Sequence, residues 1–320
     1  MTDQLEGPVE LVLTASVARR YYVDNQSKVE IADEFGISRF KVARLLETAR
    51  SIGLVRIEIG WPGAIDVGLS GLLQERFGLV HAIVIDTPDE HVATLRKELG
   101  VAAAALLEEI VTTEDVLGLA WARSVSAMTG SLTRLPATPV VQLTGALSRP
   151  DIEDSSIELV RGVAQISGGP AYLFYAPLVV PDAATAGALR RQPEVARAFA
   201  QFGSVTKAVA GIGQWAAGQS TVYDVTDHRE RLLLRRQGVV ADVSGILLGA
   251  SGEFVETPFS ERMIGINARQ MAAIPEVIGI AYDAVKAPAV LSAIRSGLIK
   301  GLVTHASLAR AMLDATRAAT

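Results

Sequence analysis

A mainly parallel, doubly wound α/β sheet preceded by a small helical unit is the fold this sequence predicts. Two observations carry that expectation. Short β-branched runs alternate with helical stretches over most of the chain, the pattern of βαβ units covered on both faces. Nearly half of the 320 residues are apolar and a fifth are charged, which suits a well-buried core and excludes a disordered chain.

The first segment, up to about Glu58, reads as short helices closing on a β-type run, Leu54-Val55-Arg56-Ile57-Glu58-Ile59. Gly60-Trp61-Pro62-Gly63 then breaks the pattern, so a boundary is expected between residues 1–59 and 60–320. Beyond it the expected strands are Ala82–Ile85, Val116–Leu119, Val140–Leu143, Ala208–Gly211, Val239–Ala241, Val277–Ile280 and Gly301–Val303. Helical patterns cover Glu90–Val111, Ser155–Ser167, Glu194–Phe202 and Ala289–Ser296.

Ser27-Lys28-Val29-Glu30 has the spacing of a capping box, and the helix it opens would bury Ile31, Ala32 and Phe35. Gly36 can end that helix in a left-handed conformation, and Ser38 can cap a second one. On the second helix Val42, Leu45, Leu46 and Ala49 form the buried stripe, leaving Phe40, Lys41, Arg44 and Thr48 opposite. The chain carries a net charge of −5, yet Gly36–Arg56 holds Arg39, Lys41, Arg44, Arg50 and Arg56 against Glu47 alone. A helix with its back in a core and a basic front suits docking in a DNA major groove. An ordinary helical hairpin with a solvated face is the plainer alternative. The helix–glycine–helix spacing, the single sign of charge and the wing-like run with Arg56 favour a winged helix-turn-helix.

The stretch Tyr21–Ile59 resembles the DNA-binding domain of the SorC family of sugar-responsive bacterial transcriptional regulators. The shared pattern lies at Tyr21-Tyr22, Ile31-Ala32, Gly36 to Arg39, Val42 to Leu46 and Gly53 to Ile57. The resemblance implies that Ser38, Arg39, Phe40, Lys41 and Arg44 face operator DNA. Phe40 stands where the family often has a small residue or proline; it would touch a thymine methyl or pack on a dimer neighbour.

The rest of the chain resembles the family's effector domain, itself similar to sugar-phosphate isomerases and deaminases, and four stretches match. In Leu117–Val125 a strand runs into a helix start, where Trp121, Ala122, Arg123 and Ser124 would meet a phosphate, or simply form a buried turn. Ala122 replaces a family glycine. Val140–Ala146 carries Gln142, for a sugar hydroxyl or as a satisfied structural amide, and Gly145 at a glycine-rich loop. Gly238–Gly245 places Asp242 toward the effector, or as a turn or cap residue, and Gly211-Ile212-Gly213 forms a further edge loop. In Ile280–Ala287, Lys286 matches the family's anion-binding lysine or is an exposed helix lysine, while Tyr282 and Asp283 replace glycines.

The function expected is operator binding controlled by a small sugar, polyol or sugar phosphate, in a homodimer or homotetramer. The rivals are a sugar-phosphate isomerase or deaminase carrying a DNA-binding domain, and a DNA-bridging structural protein. His81, His91, His228 and His305 lack metal-type spacing, no G-x-S-x-G elbow exists, and there is no cysteine, so no metal and no cofactor is expected. Met1–Glu6 is acidic and without an apolar signal core, and no apolar run would span a bilayer; a cytoplasmic protein without membrane contact is the expectation.

Overall fold

The computed structural model describes residues 7–55, 65–87, 91–147 and 155–317. The chain divides into two compact units, Met1–Gly60 and Trp61–Thr320. The wing-like run from Arg56 to Ile59 and the break at 60–63 lie outside the described residues, as does Glu90 at the start of an expected helix.

The first unit is built from three helices: α1 (Pro8–Tyr22), α2 (Lys28–Phe35) and α3 (Arg39–Ser51). The Ser27 capping box forms, its hydroxyl accepting from the Glu30 amide while Glu30 Oε2 accepts from the Ser27 amide. Gly36 closes α2 at φ 63°, a left-handed conformation that costs glycine little. The Ser38 hydroxyl accepts from the Lys41 amide and opens α3. Val17 and Ala18 of α1 pack with Ile31, Ala32, Val42, Leu45, Leu46 and Ala49. Helix α1 thus supplies one wall of this core. One expectation needs correcting. Thr48 does not join the exposed face: it is 9% exposed, because it lies only about 60° around the helix from Leu45.

The second unit holds nine strands among the described residues: β1 (His81–Ile85), β2 (Leu117–Leu119), β3 (Val140–Gln142), β4 (Ala171–Tyr172), β5 (Lys207–Gln214), β6 (Ala241–Val243), β7 (Ile246–Leu248), β8 (Glu276–Ile280) and β9 (Gly301–His305). Seven run parallel in the order β1-β9-β8-β5-β2-β3-β4. Along β5, Ala208 and Ala210 belong to one apolar cluster and Val209 to another, the two-residue alternation of a sheet buried on both faces. The chain winds outward through β3 and β4, then returns to the other side of β2 to form β5. That reversal between β2 and β5 is a topological switch point, where ligands of open α/β sheets bind.

The last three residues of β5 pair with β6, which turns back into β7; both of these pairings are antiparallel. The strand expected at Val239–Ala241 therefore begins later, at Ala241, and lies outside the parallel sheet.

Candidate functional site

On α3, Lys41 and Arg44 are exposed beside Arg39, and Phe40 is 73% exposed. The Arg39 guanidinium lies 5.0 Å from the centre of the Phe40 ring. At the other end of the helix the Arg50 Nε donates to Tyr22 Oη at 2.7 Å, so this arginine is tied to α1. The free basic face is consequently the N-terminal half of α3, the end that reaches base edges in helix-turn-helix docking.

In the second unit a cleft opens at the C-terminal ends of β2, β5 and β8, lined by Trp121, Ala122, Arg123, Ser124, Gly145, Gly211, Asp242 and Lys286. It encloses about 690 Å³ of empty space, the open mouth included. Ser124 stands in the first turn of the helix Arg123–Thr129, its hydroxyl 3.4 Å from the Ile280 carbonyl. Ala122 caps that helix with no side-chain hydrogen bond. Its methyl occupies space that Gly211 vacates, since a Cβ on Gly211 would lie 2.5 Å from that of Ala122.

Gln142 is not in the cleft. Fully buried, it donates through Nε2 to the Thr144 carbonyl and Ser156 Oγ and accepts from the Phe174 amide. Its amide is satisfied by the fold, so of the two roles open from sequence the structural one holds. Gly145 does line the cleft, but its missing side chain serves packing: a Cβ there would sit 2.5 Å from the Pro177 carbonyl oxygen.

Asp242 is 4% exposed and sits mid-strand in β6. Its Oδ1 accepts a short hydrogen bond from Ser220 Oγ and its Oδ2 a long one from the Gly245 amide. Burial raises its pKa above the usual carboxylate value, against the lowering effect of Ser220, Gly245 and Lys286. Lys286 is 8% exposed, and its ammonium donates to the Ile212 carbonyl at 3.2 Å. Burial brings its pKa down to about 8; Asp242 and Asp283 oppose that shift, while Arg123 and Arg96 add to it. A buried cation and a buried carboxyl thus share one cleft, an arrangement able to hold an anionic group and hydroxyls together.

The chain between β5 and β6 contributes residues for which sequence reasoning gave no role: Gly218, Gln219, Ser220, Thr221 and Val222 all line the cleft. Ser220 could have been found as the cap of the short helix Thr221–Val225, but nothing local ties it to Asp242. Gly213 was noticed only as part of an edge loop; a Cβ there would lie 2.4 Å from Asp242 Oδ1. Among the described residues, no cluster of three His, Asp or Glu side chains could hold a metal ion. No described helix is long and apolar enough to cross a membrane.

Residues 65–314 match the family model described as "Putative sugar-binding domain". The chain belongs to that family, the sugar-binding transcriptional regulators of the SorC type. Over 306 residues it is 28% identical to the transcriptional regulator LsrR of Enterobacter sp. (strain 638), a match spanning 94% of this chain and 92% of that one. The deoxyribonucleoside regulator of Bacillus subtilis (strain 168) is 24% identical, across 94% and 97%. The fold is that of the full-length sorbitol operon regulator SorC from Klebsiella pneumoniae, with a TM-score of 0.72 at 23% identity, covering 95% of this chain and 99% of the other. The sugar-responsive family expected from Tyr21–Ile59 and the cleft motifs is the family found.

Proposed function

We propose that this chain is a DNA-binding transcriptional regulator of carbohydrate or polyol catabolism whose operator binding is set by a small phosphorylated sugar. The observation that carries the reading is the convergence of Arg123, Ser124, Lys286 and Asp242 on one cleft at the switch point of the sheet. The phosphate would lie against Ser124, Arg123 and Lys286, with sugar hydroxyls toward Asp242. Residues 1–59 would bind the operator through Ser38, Arg39, Phe40, Lys41 and Arg44, and residues 60–320 would bind the effector and form the homodimer or homotetramer. Operator half-sites read by paired recognition helices supply the reason for an oligomer.

Support for regulation over catalysis comes from relatives matched along nearly the whole chain, all named as regulators. The isomerase or deaminase reading rests on fold likeness alone, and fold does not fix function. An effector can shift operator affinity only by binding two arrangements of the protein unequally. The test is a thermal-shift screen against sugar phosphates and unphosphorylated polyols, followed by operator titrations with and without each hit. A sugar phosphate that raises the melting midpoint and changes operator affinity supports the reading. Response to unphosphorylated polyols alone overturns the phosphate, and turnover of a bound sugar phosphate overturns the regulator.

A further inference from the structure

Directly after β8, the positions that are glycines in the pattern this chain resembles hold Tyr282 and Asp283. Tyr282 lines the cleft, and its ring has two cations near it: Lys286 Nζ is 5.0 Å and the Arg96 guanidinium carbon 5.7 Å from the ring centre. Arg96 comes from the long helix Val92–Ile110, nearly two hundred residues away in sequence. Its Nη2 and Nε donate to the Tyr282 phenol oxygen at 3.2 and 3.4 Å. With arginine donating to it, the phenol oxygen is an acceptor toward Arg96 and keeps its own proton to give. That proton has no acceptor among the described residues.

The backbone beside it is held in an uncommon state. Asp283 has φ 79°, a conformation that L side chains rarely adopt. It is pinned on both sides, its Oδ2 accepting from Gln219 Nε2 at 3.2 Å and its Oδ1 from the Val285 amide at 3.1 Å. Gln219 is itself a cleft residue, so this contact ties the chain after β8 to the chain after β5 across the rim. Strain retained at a ligand edge needs over-determination of this kind to persist.

We infer that Tyr282 is a specificity-determining residue of the effector cleft, which donates a hydrogen bond to the effector's anionic group beside Lys286 and is aimed by Arg96. The inference rests on the cleft being the effector site. The phenol adds one neutral donor to the charges that Lys286 and Arg123 bring to the cleft. The cleft then favours an effector whose anionic group accepts from both Lys286 and Tyr282 over one that lacks it. Arg96 is a positioning residue, acting through the phenol.

The experiment measures binding of ribose 5-phosphate and of unphosphorylated ribose to the full-length protein by calorimetry. The variants are Tyr282→Phe, Arg96→Ala and the two combined. Tyr282→Phe keeps the ring over Lys286 and removes the phenol oxygen with its proton, so monophosphate affinity falls about tenfold or more, as expected for a hydrogen bond to a charged group. Arg96→Ala lowers it severalfold in the parent and not at all in the Tyr282→Phe background. Tyr282→Phe also narrows the preference for ribose 5-phosphate over ribose. Unchanged binding in Tyr282→Phe, or an equal Arg96→Ala effect in both backgrounds, overturns the inference while leaving the effector site intact. If neither probe binds the parent while circular dichroism shows it folded, the sugar-phosphate cleft fails and this inference with it.

Discussion

The Lys286 ammonium reaches from the turn after β8 to the Ile212 carbonyl in β5, 3.2 Å away, and so bridges two strands of the parallel sheet from within the cleft. Burial holds its pKa at about 8, below the ordinary lysine value. An anionic effector needs the protonated form. Affinity should therefore decline as pH rises from 7 through about 8, with proton uptake on binding by Lys286 near that pH. Calorimetry in buffers of different ionisation enthalpy checks this; equal affinity at pH 7 and 9 contradicts it. Lys286→Ala should abolish the effector response, weakening binding at least tenfold, and leave unliganded operator binding intact.

Lys41→Ala and Arg44→Ala should each weaken operator binding by about 1–3 kcal/mol where a base contact is lost. Both side chains are exposed, so the melting temperature should not move. Parent affinity should fall steeply with salt. Anisotropy titrations that find both variants at parental affinity would place the DNA-binding surface elsewhere.

Gly213→Ala should damage the cleft without touching α3. Its new methyl would meet Asp242 Oδ1 at 2.4 Å and Ser220 Cβ at 2.7 Å, displacing the one hydroxyl that fixes the Asp242 carboxyl. The expected outcome is loss of effector response with operator binding retained, read in the same titrations.

Away from the cleft, Asp115 is a stability element. Burial pushes its pKa up, but Lys207 Nζ at 2.9 Å together with Thr206 and Thr112 outweighs that and holds it at about 2. A carboxylate depressed in the folded state stabilises above its unfolded pKa, and that contribution is lost as pH falls from about 4 toward 2. Asp115→Ala leaves Lys207 without its partner and should cost about 3 kcal/mol at pH 7, measured by urea unfolding.

Much of this was legible in the sequence, for local reasons. The Ser27 box, Gly36 and the Ser38 cap are contiguous signals, and each formed as read. The apolar runs at Val277–Ile280 and Val140–Leu143 announced buried strands because such strands tolerate few polar residues. Two-residue β4 and the hairpin strand β7 were too short to show a period. Gln142 and Asp242 show the limit more sharply. Both are polar residues in apolar runs, and only partners far along the chain, Phe174 for one and Ser220 for the other, separate a spent amide from a cleft carboxyl. Tyr282 depends on Arg96, a contact that no spacing rule spans.

The position of β5 also fixes when the cleft can exist during synthesis. This strand pairs with β2, formed some ninety residues earlier, and with β8, which follows some seventy residues later. Contacts that distant form slowly and only once both ends have left the ribosome. A nascent chain extending through Gln214 can already pair β2, β3 and β4, but it has neither Asp242 nor Lys286. The cleft is thus completed only late in synthesis, and a truncated product that carries an intact first unit lacks it.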